Sequence, residues 1–152
     1  MTGITVGRHE GRLVAVKQSD EPERRARLRH EATMLAQLDH PGVVHLVDVD
    51  EGPPATVRTL FVGPDTWARA TPTGTELTDA VAAVIATVAD LHDSGVTHGA
   101  IEPAHIVIGD AGRPILCGFG DAAPATPTRL LDDRVALASL VAGLDPVDPA
   151  LE

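Results

Sequence analysis

Aromatic side chains are almost missing from this chain: two Phe, one Trp and no Tyr among 152 residues. A core must therefore be assembled from Val, Leu, Ile and Ala, which bury less area per side chain, and modest stability follows. Cysteine is nearly absent too. The single Cys117 cannot close an internal disulfide, a pattern that fits a reducing cytoplasm. Positive charge is in deficit: 12 Lys and Arg stand against 22 Asp and Glu, for a formal net charge of −10. That balance argues against sequence-independent binding of nucleic acid, which needs cations to displace counterions, and against docking on an anionic membrane. No apolar run approaches the ~20 residues of a membrane helix. The short, polar opening from Met1 to Gly11 does not read as a signal peptide.

What is present is ordinary for a globular protein, with 43% hydrophobic and 22% charged residues. The length suits one domain with a sizeable core, or a compact two-lobed unit. Ile4-Thr5-Val6 and Leu13 to Lys17 read as two strands of a hairpin, with Gly7 to Gly11 as turn; the second is apolar on both faces until Lys17. Pro22 opens a helix to about Leu38, with Leu28, Ala32, Leu35 and Leu38 on one stripe, and His40-Pro41-Gly42 stops it. Val43 to Val49 and Thr56 to Val62 read as strands around the turn Gly52-Pro53-Pro54. Gly63 to Gly74 reads as a linker containing Trp67, either a packing anchor or a partner-facing residue.

Thr73 and Glu76 have capping-box spacing before a helix to about Ser94, with Leu77, Val81, Val84, Val88 and Leu91 inward and Gly95 at its end. Ile106 to Ile108 and Pro114 to Cys117 form a second hairpin, and Pro124 to Thr128 reads as loop. A last helix begins near Asp132, with Leu137, Leu140 and Leu144 inward, closed by Gly143 and Pro146. Strands gather early and helices late, so the fold class is α+β.

Two charges stand in unusual places. Lys17 ends an apolar strand, and Glu31 falls between Leu28 and Leu35 at helical spacing. Burying either alone costs several kcal/mol, a cost that a facing partner largely offsets. Periodicity leaves two readings open: the two charges pair, or Glu31 sits at the stripe's edge and Lys17 snorkels to water.

Other constellations carry less. Seven histidines, at spacings such as His40 to His45, match no zinc signature, so no metal site is expected. Cys117 reads as a small buried thiol. Ser94, His98 and Asp93 lack the strand-to-helix elbow of a hydrolase nucleophile. Gly118-Phe119-Gly120 lacks the helix that must follow a dinucleotide fingerprint.

Five segments in order resemble protein kinases of bacterial Ser/Thr type: VAVK (Val14 to Lys17), RLRHEATMLAQLDHPGVVHLVDV (Arg27 to Val49), ADLHDSGVTHGAIEPAHIVI (ending at Ile108), GRPILCGFGDA (ending at Ala122) and LDDRVALASLVAGL (Leu131 to Leu144). The resemblance implies a truncated two-lobed fold: a small lobe over 1–62, a hinge over 63–74 and a reduced, helical large lobe over 75–152. It implies a nucleotide-binding set of Ala15, Lys17 and Glu31, in which Lys17 faces the phosphates and Glu31 orients it. Asp133 takes the acidic starting position of the helix that supports the catalytic loop.

The reactive positions depart from the family. Its loop reads H-R-D-x-K-P-x-N; here it reads His98-Gly99-Ala100-Ile101-Glu102-Pro103-Ala104-His105. His98 and Pro103 are scaffold residues, and His98 reads as a core hydrogen-bonding group. Ala100 stands where a carboxylate would accept the substrate's proton. Glu102 replaces a phosphate-facing lysine, and His105 an asparagine that ligates magnesium. Gly118 replaces the metal-binding aspartate, while Asp121 lies three residues further on. No catalytic residue and no metal is therefore expected, no cofactor is required, and ATP without magnesium is the one candidate ligand.

The glycine-rich loop and first strand would precede Ile4, leaving only Gly3 as a loop glycine; the later helices have no counterpart before Leu151-Glu152, an end that reads equally as native or as an expression remnant. The resemblance thus implies a catalytically inactive module that binds a protein partner or regulates an attached domain. A second reading is a nucleotide binder with weak or no turnover. A third, an active Ser/Thr-type phosphotransferase, is disfavoured by Ala100 and Gly118. A missing first strand would leave a sheet edge open to an adjoining segment or to a second copy.

Overall fold

The computed structural model describes residues 4–144. Gly3, Pro146 and Leu151-Glu152 lie outside the described residues. The class is α+β, with a small antiparallel sheet and three α-helices. Strands β1 (Thr5–His9), β2 (Arg12–Ser19), β3 (Leu46–Asp50) and β4 (Ala55–Leu60) form the sheet in the order β1-β2-β4-β3. Helix α1 (Pro22–Ala36) follows β2. Helix α2 (Gly74–Asp93), the short pair β5 (Val96–Thr97) and β8 (Ala123–Pro124), the hairpin β6 (Ile106–Ile108) and β7 (Pro114–Leu116), and helix α3 (Pro127–Leu144) complete the chain.

The first hairpin is tighter than its sequence suggests. Its turn is only Glu10-Gly11, both left-handed, and Thr5↔Val16 through His9↔Arg12 are paired. A two-residue left-handed turn matches strand twist, so Gly7 to His9 join the ladder instead of the turn. β2 is not apolar on both faces in effect: Val14 is fully buried, but Leu13 stays 43% exposed.

Two apolar clusters hold these elements. Leu28 and Ala32 of α1 pack with Ala55 and Val57 beneath the sheet. A larger cluster joins Met34 and Leu35 of α1 to Trp67, Val84 and Leu91 of α2, Ile106, Leu116, Phe119 and Leu140. Helix α1 therefore contributes to both cores, through different turns. Trp67 is 1% exposed and serves as a packing anchor, which removes the partner-facing alternative.

Three sequence expectations need correction. The strand expected over 43–49 is split: Val43 and Val44 pair with β7, and from His45, whose carbonyl accepts the Leu60 amide, the chain joins β4. Strand propensity marks this stretch as extended but does not say which sheet it serves. Helix α3 begins at Pro127 rather than near Asp132, because the Thr126 hydroxyl accepts the Arg129 amide and Pro127 fits the first turn. Finally, Thr73 precedes α2 but its side chain makes no capping bond. Gly74 enters the helix at φ +62°, which turns the chain out of the geometry a capping box needs. Among the described residues, no helix is long and apolar enough to cross a membrane.

Candidate functional site

The two charges flagged by periodicity meet. Lys17 Nζ lies 2.9 Å from Glu31 Oε2 and 3.3 Å from Oε1, so it bonds both carboxylate oxygens. Their side chains differ in exposure, 27% for Lys17 and 6% for Glu31. The lysine reached by β2 thus keeps a wet side, while the carboxylate on α1 is enclosed. Ala15, half-buried, sits two residues earlier on β2 opposite Thr59.

A second polar network anchors the loop after β5. Buried Asp133 of α3 accepts the backbone amides of His98 at 2.8 Å and Gly99 at 2.9 Å, and His92 Nε2 donates to it at 2.9 Å. Burial pushes the Asp133 carboxyl up, but the bonds from His92, His98 and Gly99 outweigh it and hold the group below its usual range. His98 is fully buried. Its Nδ1 accepts the Ala100 amide, so Nε2 carries the proton and donates to the Cys117 carbonyl at 2.7 Å. Burial lowers the His98 pKa, and the ring stands edge-on to Phe119. Cys117, expected as a small buried thiol, is half-buried, and its desolvation pushes the pKa up to about 11.

The positions with chemical meaning lie around this scaffold. Ala100 is half-buried and Glu102 is exposed. His105 Nδ1 donates to the Ala100 carbonyl at 2.7 Å. Gly118 adopts φ +73°, and a side chain there would stand 2.5 Å from His105 Cδ2. The imidazole of His105 therefore lies against the bare backbone at 118. At the two positions that the kinase resemblance assigns to magnesium ligands, a ring packs on a glycine. These residues do not fit a magnesium ion: imidazole and glycine supply no oxygen side chain, and the ring occupies the space. Among the described residues, no group of three or more His, Cys, Asp or Glu is placed to hold a metal.

Asp121 turns away from that position. Its Oδ1 accepts Arg27 Nη1 of α1 at 2.9 Å, and this bond holds its carboxyl below the usual range. The Arg27 guanidinium covers Gly120, and His30 of α1 donates to the Ala122 carbonyl. Arg129 donates to Thr97 and to the Asp121 carbonyl. Helix α1 is thus tied to the Phe119–Asp121 turn by side chains that sequence reasoning did not single out. Arg27, His30, His92 and Arg129 have only local polar patterns; nothing in spacing marks their distant partners.

The structure brings Lys17 to Glu31, and His98, Ala100, His105 and Gly118 to one another; Glu102 projects to solvent apart from both groups. No protein-family profile matches the chain. One curated relative does: a DNA damage-responsive serine/threonine-protein kinase of Deinococcus radiodurans is 34% identical over 139 residues, covering 80% of this chain and 20% of the relative. The chain therefore spans about a fifth of the length of that relative. The match supports a protein-kinase-like relationship.

Proposed function

We propose that this chain is a catalytically inactive, kinase-like module of reduced two-lobed form, with a small lobe over 1–62, a hinge over 63–74 and a large lobe over 75–152, that acts by binding. The observation that carries this reading is the contact of His105 with Gly118, beside Ala100. Phosphoryl transfer depends on positioning and on charge stabilisation by metal-held oxygens, with a group to take the hydroxyl proton. A methyl group, a packed imidazole and a bare backbone supply none of these. Glu102 adds a negative charge where a cation would help.

The test is transfer of radiolabelled γ-phosphate from ATP, by the purified chain, to itself and to a basic carrier protein. The expected result is no label above that obtained with Lys17→Ala. Label present in the unmodified chain and lost in Lys17→Ala would overturn the reading.

A second reading has its own support. The Lys17 side chain keeps 27% of its surface exposed while bonded to both oxygens of Glu31, which supports a role in meeting an anionic phosphate. Under this reading ATP binds without turnover and without magnesium, and a shift in melting temperature with ATP disappears in Lys17→Ala.

A partner protein or an attached domain is part of the proposal. Among the described residues β1 pairs only with β2 and so forms a sheet edge; Val6 on it is 55% exposed and Ile4, just before it, 62%. Such an edge takes up a further strand, from an adjoining segment or a second copy. Light scattering at high protein concentration tests the second copy: a dimer lost in Val6→Lys supports it, and a monomer throughout leaves the adjoining segment as occupant.

A further inference from the structure

Helix α3 carries apolar side chains on two sides. Leu140, with Ala136, Leu137 and Leu144 beside it, turns into the larger core. Leu131, Val135, Ala138 and Ala142 do not: all four are exposed, Leu131 by 58% and Val135 by 57%. Their spacing of four, three and four residues is that of a seam along which two helices pack. Beside the C-terminal half of this seam, between α2 and α3, runs a groove of about 490 Å³ lined by Ile85, Arg134, Leu137, Ala138, Val141 and Ala142. Its walls are apolar but for Arg134, and Ile85 on the α2 side is itself exposed.

The face therefore has two parts: projecting side chains at 131 and 135, and small side chains over a groove at 138 and 142. They lie on opposite sides of a point between Ala136 and Leu137. A two-fold axis through that point, perpendicular to α3, sets a second α3 antiparallel and exchanges the two parts. Leu131 then faces Ala142 of the second copy, and Val135 faces Ala138. Each layer joins one large side chain with one small one, so the helices stay evenly spaced. A parallel pairing would stack large on large at one end and alanine on alanine at the other, and would splay them. Apart from buried Asp133, the only charges over 131–144 are Asp132 and Arg134. In the antiparallel register they fall level with Val141 and Ser139 of the second copy, so no like charges meet. The surface is thus complementary to itself and the contact closes, as a two-fold interface requires. At ~1.5 Å per residue and about 10 Å across each helix, α2 and α3 present roughly 500 Å² per copy, or about 1,000 Å² in total. That is near the lower bound of a specific interface, which makes the association reversible.

We infer that the exposed face of α2 and α3 is an interface between two copies of this chain, in which Leu131 and Val135 of each copy seat against the small residues and groove of the other. Two copies at net charge −10 repel each other at long range, while the contact itself is apolar. Salt screens the repulsion and so strengthens the dimer. The interface uses none of the residues around Lys17 or His98 and does not involve the β1 edge, so it holds or fails independently of the inactive reading.

Sedimentation equilibrium of the full chain over a range of concentrations reads the monomer–dimer balance. The expected result is a dimer whose Kd rises about tenfold or more in Leu131→Lys and in Val135→Lys, since each sets an ammonium against an apolar surface twice per dimer. Both positions are exposed in the single copy, so melting temperatures at low concentration should not change. Val6→Lys, on the β1 edge, should leave the Kd as it is, and added salt should lower it. Cross-linking reads the register. A chain carrying Leu131→Cys, mixed with one carrying Ala142→Cys, should form a disulfide between positions 131 and 142 on oxidation, identified by peptide mapping. Either variant alone should not link through that position, because its two thiols stand about 16 Å apart along the helix axis. A monomer at every concentration would overturn the inference and leave the face to an adjoining segment or another protein. A dimer that survives both lysine variants, that is lost in Val6→Lys alone, or that salt weakens would overturn it too, as would the absence of the mixed disulfide.

Discussion

The polar groups of this protein divide into two sets. Lys17 and Glu31 form a pair in which the lysine keeps partial exposure and the carboxylate is enclosed. The loop from His98 to Gly118 keeps every bond that faces inward: His98 to Cys117, Asp133 to two backbone amides, Phe119 under the His98 ring. Its outward positions are a methyl group at 100, a carboxylate at 102 and a ring packed on Gly118. The difference shows that the inner and outer faces of one loop answer to separate demands. Inward groups satisfy buried amides and would cost stability if lost. Positions 100 and 102 carry no inward side-chain bond, so substitution there should cost little folding free energy, whereas position 118 is held by the ring of His105.

The sharpest way to break this contrast is at its inner side. Asp133→Ala leaves the His98 and Gly99 amides and His92 without their acceptor, and should lower unfolding free energy by about 3–5 kcal/mol in urea titration. Ala100→Ser, in the same loop but without an inward bond, should change it by less than about 0.5 kcal/mol. Equal losses would erase the distinction. Lys17→Met strands the enclosed Glu31 carboxylate and should cost about 3 kcal/mol; adding Glu31→Gln should recover part of that loss, since the two sites are coupled.

Gly118→Asp tests the packed ring. Overpacking against His105, together with the left-handed backbone at φ +73°, should cost about 1–3 kcal/mol, and His105→Asn in the same chain should relieve the packing part of it. No cost for Gly118→Asp alone would mean that the imidazole does not fill that space.

pH provides a finer comparison. Burial lowers the folded-state pKa of His98, so the unfolded chain takes up the proton first as pH falls. The stability this group contributes is complete above its ordinary value near ~6.5 and declines below it, toward the depressed folded value. Asp133, also held low, adds a second decline below the ordinary carboxylate value near ~4. Urea midpoints should therefore drop from neutral to mildly acid pH, and His98→Gln should flatten that first drop. The smallest effect belongs to Arg27→Ala: its pair with Asp121 is about half exposed, so the loss should stay under ~1 kcal/mol.

Much of this arrangement was legible beforehand, and the reasons are specific. Helical spacing puts Glu31 on or beside the inward stripe, leaving pairing with Lys17 as one of two readings, and strand reading ends β2's apolar run at Lys17; both depend on local period alone. Helices α1 and α2 and the β6–β7 hairpin announce themselves through proline, glycine and repeat. The split of Val43–Val44 from Leu46 did not show, because the choice between two sheets is made by partners far along the chain. Nor did the two-residue strands β5 and β8, which are shorter than any period. The ties of Arg27 to Asp121 and His92 to Asp133 span 94 and 41 residues in sequence and leave no local trace. The reactive positions were read by alignment to a family pattern, and the structure adds what no pattern contains, the ring of His105 lying against Gly118.

The most direct measurement is the melting temperature of the chain with ATP, in the presence and absence of Mg²⁺. A ligand at a hundredfold excess over its Kd adds about 2.7 kcal/mol of stability, an easily visible shift. The expected result is that Mg²⁺ adds nothing to whatever ATP does alone, because positions 105 and 118 offer the ion no oxygen side chain. A further rise that requires Mg²⁺ and vanishes in Lys17→Ala would show a metal-held triphosphate beside Ala100, and would contradict the central claim.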